Sequence, residues 1–229
     1  MTRTTNARVA GFTFLVYIAA GITSMVLVAR ATSGEGIAAK LAGFAQHATD
    51  VRIAFLISLL TSFAALVLGV TLYAITREQD PDLAMVALTC RVGEGVIGIC
   101  IPVTLGLLWL ATATGANAPD TAAALALGAF LLRGAAGTGA TFFAVGSTFF
   151  SYLLLRGRMI PTPLAWLGVV ASVLLVLVLP LQLAGFLNVG FFAGAAGWLI
   201  WLPMLVFEVV FALWLLVKGV AMPARMRLA

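Results

Sequence analysis

The chain has 229 residues, of which 63% are hydrophobic and 9% charged, and its formal net charge is +5. A soluble domain is nearer half apolar and a quarter charged, so this composition excludes an ordinary soluble protein and leaves room for about six or seven membrane spans with short loops. The basic residues are scattered at the ends of apolar runs and form no single patch, which argues against a nucleic-acid-binding surface.

Six apolar runs approach or exceed the length that crosses a bilayer. They cover roughly 9–29, 51–75, 83–111, 121–155, 163–187 and 198–220. These predict an all-α fold: a single six-span membrane domain.

The first run follows Arg3 and Arg8. That start resembles a signal peptide, and Ala29-Arg30-Ala31 loosely fits a cleavage site. The apolar run is too long for one, however, and its removal would leave five spans, so a retained span is expected. In the connector 30–50, Ile37, Leu41 and Phe44 recur at helical spacing. A short amphipathic helix on the outer surface is expected there, either as a plain connector or as a lid over a cavity.

The second run carries Ser58, Thr61 and Ser62; the third carries Cys90, Arg91, Glu94, Cys100 and Pro102. The two cysteines stand about 15 Å apart along one helix, beyond disulfide reach, and are expected as small packing residues. The fourth run is too long for one straight crossing. Residues 121–132 predict an outer extension or separate interfacial turn, with the span proper at about 134–155. Gly134, Gly137 and Gly139 mark a bend or close packing. Thr141, Ser147, Thr148 and Ser151 follow; such hydroxyls usually bond their own helix backbone, though they can also line a polar path. Pro180 and Gln182 lie in the fifth run, Pro203 and Glu208 in the sixth. Pro102 and Pro203 free the carbonyls of Gly98 and Leu199 and are expected to kink the spans that carry the charges.

The connectors predict orientation. Arg3, Arg8, Arg77, Arg156, Arg158, Lys218, Arg225 and Arg227 all fall on one side, against Arg30, Lys40 and Arg52 on the other. The positive-inside rule therefore places both termini in the cytoplasm, as six spans allow. Trp109, Trp198 and Trp201 then fall near the outer interface, and Trp166 and Trp214 near the inner one.

A charge near mid-membrane costs about 2.5–3.5 kcal/mol even on the lenient insertion scale, which makes Arg91, Glu94 and Glu208 the leading site candidates. At 1.5 Å per residue, Arg91 and Glu94 lie about 12 and 16 Å from the cytoplasmic end of the third run, and Glu208 about 15–18 Å from that of the sixth. The three share one layer. Arg91 and Glu94 share a helix face, and Gly95 and Gly98 would let another helix approach. Contact between the third and sixth spans is expected, leaving one carboxylate in excess that must keep a proton or hold a cationic group. A structural ion pair locking helices together is the alternative role. Arg133 falls instead at the outer interface, about 33 Å from the cytoplasmic end of its helix, within reach of Asp120, Glu35 or Asp50.

Other chemistries find no support. His47 is the sole histidine and lies in the outer connector, so bis-histidine haem and multi-histidine metal sites are excluded. Ser147 has no histidine in its layer, which removes a serine-protease dyad, and no run contains an aspartate dyad. Gly93-Glu94-Gly95-Val96-Ile97-Gly98 matches a dinucleotide fingerprint but lies inside a membrane helix with no preceding strand. Gly134, Gly137 and Gly139 lack the Lys-Ser/Thr of a phosphate loop.

Four segments carry a resemblance. They are Leu72-Tyr73, Cys90-Arg91-Val92-Gly93-Glu94-Gly95-Val96-Ile97, Ser151-Tyr152-Leu153 through Ile160-Pro161 to Trp166-Leu167-Gly168, and Glu208 with Ala212-Leu213-Trp214-Leu215-Leu216-Val217-Lys218-Gly219. Together, over nearly the whole chain, they resemble the bacterial membrane family called domain of unknown function 4386. In that family the third span typically reads Phe-Arg-Leu-Val-Glu-Ala, and the sixth has a glutamate before Leu-Trp-Leu, so Arg91, Glu94 and Glu208 match its charged positions. Cys90, Gly93 and Gly95 depart from it and are expected to loosen local packing. The resemblance implies six spans and no known activity.

The sequence thus predicts a multi-pass protein of a bacterial inner membrane, binding or conducting a small solute or proton at Arg91, Glu94 and Glu208. No catalytic residue, cofactor or metal is assigned. Partners are lipid, with a small-molecule ligand, a membrane protein or a second copy in addition. The rival readings are a structural subunit of a larger membrane complex and, behind it, an intramembrane enzyme acting on a lipid or quinone.

Overall fold

A computed structural model describes residues 1–100, 103–115, 118–134, 137–187 and 194–223, with backbone alone at 100, 133–134 and 194–196. The elements are α1 (Arg3–Ala31), α2 (Gly36–Gln46), α3 (Ala48–Thr76), α4 (Pro81–Cys100), α5 (Val103–Thr112), α6 (Thr121–Gly134), α7 (Gly137–Arg156), α8 (Thr162–Leu183) and α9 (Gly194–Val217). No strand occurs among the described residues. Helices follow from the solvent: a backbone crossing hydrocarbon must satisfy its polar groups within its own segment or in a closed barrel.

Six stretches are long and apolar enough to cross a membrane, Arg3–Ala31, Ala48–Thr76, Pro81–Thr112, Thr121–Arg156, Thr162–Leu183 and Gly197–Val217. They match the six predicted runs. The third comprises α4 and α5, and the fourth α6 and α7, so the predicted division near residue 134 is observed. Pro102 lies outside the described residues, between α4 and α5. Pro180 and Pro203 lie inside α8 and α9.

The spans form a ring in chain order. Contacts run α1 to α3, α3 to α4, α4 to α7, α7 to α8 and α8 to α9, and α9 returns to α1. Closure depends on Gly11: a Cβ there would stand 2.7 Å from the Ala212 carbonyl oxygen and 2.9 Å from Leu216. Just above, Phe14 and Phe211 meet edge to face at 5.6 Å. Phe12, Leu56, Phe63, Val170 and Leu177 are exposed on the outer surface of the ring, as a lipid-facing wall requires.

The N-terminus and Ala221 occupy one end, here called the base. Arg3 pairs with Glu78 of the α3–α4 turn and donates to the Ala221 carbonyl at 3.1 Å. The Ala221 amide in turn donates to the Met159 carbonyl at 2.9 Å. Arg156 pairs with Asp80 at 3.1 Å. At the opposite, far end, α2 lies across α5 and α6 and touches α1 and α3. Gly43 admits this packing, since a Cβ there would overlap the Ala31 carbonyl. The predicted amphipathic helix is therefore present, with Leu41 and Phe44 buried in a small far-end core beside Ala31, Val51, Leu107, Leu108 and Leu110. A larger core fills the base half around Phe14, Leu68, Leu72, Phe150, Leu154, Phe207 and Phe211 and continues towards the far end through Phe143, Leu175, Leu179 and Met204.

Because backbone blocks the Gly11 Cβ, Gly11→Ala is expected to lower stability by about 1–3 kcal/mol. Gly21→Ala on the same helix, where a Cβ meets nothing within 4 Å, should be neutral. Denaturant unfolding of the two variants in mixed micelles checks the difference.

Candidate functional site

Arg91 projects from α4 into the middle of the ring, held by small residues around it. A Cβ on Gly69 of α3 would stand 2.9 Å from Arg91 Cβ, and one on Gly146 of α7 would stand 3.6 Å from Arg91 Cγ. Its side chain is only 1% exposed. Nη1 donates to Glu94 Oε2 at 3.0 Å, and Nη2 donates to Ser147 Oγ on α7 at 3.1 Å. Nη2 also stands 3.9 Å from Glu208 Oε1 on α9, an ion-pair separation too long for a hydrogen bond. Tyr17 of α1 donates its hydroxyl to Glu94 Oε1 at 2.6 Å. The guanidinium lies 4.7 Å from the Phe143 ring centroid and 6.0 Å from those of Phe14 and Tyr17, within range of cation–π attraction.

The three predicted charges therefore meet, and the third and sixth spans share them. The route differs from the one the sequence indicated. Gly95 and Gly98 admit α3, not α9: a Cβ on Gly95 would stand 2.9 Å from the Ser62 carbonyl, and one on Gly98 would overlap Ser62 Oγ. The α4 helix packs on α3 and α7, while α9 packs on α1 and α8. Arg91 and Glu208 are long enough to reach across the ring between helices that are not neighbours. The expected loosening around Cys90, Gly93 and Gly95 is also corrected. Gly93 receives the Phe142 ring, with a Cβ contact of 2.8 Å, and Gly146 would bring a Cβ to 3.1 Å from Cys90 Cβ. Here the small residues tighten packing.

Glu94 and Glu208 differ in their partners. Both Glu94 oxygens accept hydrogen bonds, from Arg91 and Tyr17. Glu208 Oε1 is buried without a hydrogen-bond partner among the described residues, as is Arg91 Nε. Glu208 separates two spaces. On the base side a void of about 10 Å³ touches Arg91, Ser147, Ser151 and Glu208, room for about one water. On the far side lies a cavity of about 690 Å³ whose walls come from α1, α3, α4, α7 and α9. Phe44 of α2 and Leu107 of α5 line it as well, so α2 takes part in roofing it. Glu94 and Glu208 both line this cavity, whereas Arg91 does not. From Tyr17 and Glu208 towards the far end, facing residues of α1 and α9 line the space.

Hydroxyls behave as expected on α3. Ser58 donates to the Ala54 carbonyl at 2.9 Å and Thr61 to Ile57 at 3.0 Å, and both line the cavity. Ser147 is the exception, turned to Arg91. Trp201, expected in the outer aromatic belt, faces inward instead: it lines the cavity and stacks on Phe143 at 6.2 Å. His47 lies at the α2–α3 junction beside Asp50, 3.5 Å away. No cluster of three or more metal-ligating side chains occurs among the described residues. The Arg133 side chain, Cys100 and the tail with Arg225 and Arg227 lie outside the description.

Tyr17, Phe143 and Ser147 were not singled out as site residues by sequence, yet depth alone marks two of them. Tyr17 lies about 12 Å into its run and Ser147 about 13 Å into its helix from the base, the layer of Arg91. Tyrosines are favoured at membrane interfaces, so one at that depth signals an internal partner.

Ring and cluster together define a six-span helical membrane protein with an ion-paired floor beneath a partly open cavity. The chain belongs to the family described as Domain of unknown function (DUF4386), which matches residues 9–219. Comparison with curated proteins and with solved structures gave no match.

Truncating Arg91 leaves two buried carboxylates facing each other. Arg91→Met is expected to lower stability by about 3–5 kcal/mol, and Tyr17→Phe by roughly 1.5–3 kcal/mol through loss of a hydrogen bond to a charged group. Unfolding in micelles measures both. A Tyr17→Phe protein as stable as wild type would show that the contact to Glu94 carries no weight.

Proposed function

We propose that this protein binds a small solute in the cavity above Arg91, Glu94 and Glu208, with the two carboxylates facing the solute and Arg91 fixing them from below. One observation carries the reading: both acidic residues of the cluster line a space large enough for a small molecule. A cluster serving only to lock helices would be enclosed on every side. Passage of a solute past Glu208 requires the base core to part, because the void beyond holds about 10 Å³. A proton needs no such opening, and Glu208 borders both spaces.

The structural reading keeps one supporting observation. Hydrogen bonds and ion pairs from Arg91 tie α4 directly to α7 and α9, and to α1 through Glu94. The two roles divide between residues: Arg91 holds the ring and the carboxylates meet the solute. The same cavity would admit a lipid or quinone substrate, but catalysis there would fall to a glutamate alone.

A thermal-shift screen of chemically diverse small molecules tests the binding role. A ligand at a hundredfold its Kd adds about 2.7 kcal/mol of stability. Compounds that stabilise the wild type should lose that effect in Gly139→Phe, and those that engage the carboxylate should lose it in Glu208→Gln as well. Gly139 lines the cavity, and a Cβ there has no neighbour closer than 3.8 Å, so the ring would fill the space. Hits that stabilise all three proteins equally would refute a cavity site.

The bacterial inner membrane is the proposed location, with the base in the cytoplasm, supported by the arginines and Lys218 near the base-side span ends. A C-terminal green fluorescent fusion in a bacterial host should fluoresce, and a C-terminal alkaline phosphatase fusion should be inactive. The opposite pair of results inverts the topology.

A further inference from the structure

The cavity has a sign. Its charged lining residues are Glu94 and Glu208, and no basic side chain lines it among the described residues. The one neighbouring cation, Arg91, is 1% exposed and lies under the floor. Formal charges of the cluster sum to one negative, and that surplus falls on the cavity side.

The neutral polar wall has the same bias. Thr61 spends its proton on the Ile57 carbonyl, which leaves an oxygen lone pair as an acceptor, whereas Ser58 also pairs with Ser24 at 2.9 Å. Glu208 lines the same space, with its Oε1 turned to Arg91 at 3.9 Å. A bound molecule that donates hydrogen bonds would meet ready partners, whereas one bearing a carboxylate or phosphate would meet repulsion.

Aromatic faces complete the wall. Tyr17, Phe143 and Trp201 stack in a row, with centroids 6.4 and 6.2 Å apart and planes inclined by 10° and 28°, and all three line the cavity. Ring faces attract cations, most strongly where water is excluded. The remainder of the wall is largely apolar, from residues such as Ile18, Met25, Phe55 and Leu205. An inorganic cation would lack enough oxygen ligands on such a wall, and a neutral oil would leave the surplus negative charge of the cluster unmatched.

Resting on the cavity reading above, we infer that the solute is an amphipathic organic cation: a protonated amine on an apolar body, its ammonium placed between Glu208 and the Tyr17–Phe143–Trp201 row.

Three probes with one apolar body separate the possibilities: phenylbutylamine, phenylbutanol and phenylbutyrate. Each is titrated calorimetrically at neutral pH into the full chain in nanodiscs of zwitterionic lipid, with empty nanodiscs subtracted. The amine should bind roughly tenfold or more tighter than the alcohol, the scale of one desolvated cation–π contact, and the carboxylate should bind weakest. Glu208→Gln should bring the amine down to the alcohol's affinity while leaving the alcohol unchanged. Trp201→Leu should narrow the gap between amine and alcohol. Alcohol binding by each variant reports that its cavity is intact. Equal affinity for amine and alcohol, or preference for phenylbutyrate, would overturn the cation assignment and leave solute binding standing. Absence of binding by all three also overturns the cation assignment, and the diverse thermal-shift screen then decides the cavity reading by itself.

Discussion

A guanidinium buried near mid-membrane is the constraint around which the rest is arranged. Arg91 brings a fixed positive charge into a place where water is scarce, and that charge is tolerable only among several acceptors. Glu94 on its own helix, Ser147 on α7 and Glu208 on α9 supply them, and the Phe143 ring faces the guanidinium plane. Gly69 and Gly146 keep α3 and α7 close around its stem. The ring geometry thus follows from one demand. Helices that are not neighbours must come within side-chain reach of a single centre.

The same centre divides the interior. Below it, phenylalanines and leucines of α1, α3, α7 and α9 pack into a continuous core. Above it, α1 and α9 border a cavity, while the core continues through Phe143, Leu175, Leu179 and Met204 and a second core of α2, α5 and α6 lies at the far end. With its charges at the edge of that core, the protein has its rigidity where the charges need support. It has its open volume where a solute can approach them.

Much of this was legible in the sequence because hydrocarbon leaves few options. Apolar run length identified six crossings, and the rise per residue placed Arg91, Glu94 and Glu208 at one depth before any contact was seen. The excess length of the fourth run correctly marked a separate α6. What depth could not supply was azimuth, the direction in which a residue faces around its helix. Trp201 had the depth of a belt residue but turns inward onto Phe143. Gly95 and Gly98 correctly signalled a close neighbour but not which one, since a small residue has no chemistry that selects its partner. The cavity was beyond reach for a related reason: it is left by the mutual packing of many helices and is encoded in no single segment.

The ring's chain-order connectivity has a consequence for how the protein enters the membrane. Every contact between successive spans is available as soon as the second of the two emerges, and the α1–α9 contact closes the ring once α9 has emerged. Arg91 can pair with Glu94 within α4 from the moment that helix forms, so the charged span carries its own neutraliser into the bilayer. Glu208 has no such companion on α9 and meets Arg91 only at closure. The final helix therefore inserts with its carboxylate unmatched, offset by a mean hydropathy of 2.4 along Gly197–Val217. Assembly of the charged floor and completion of the bundle are then a single late event, and a chain stalled before α9 would display an open-sided groove with Arg91 short of one counter-charge.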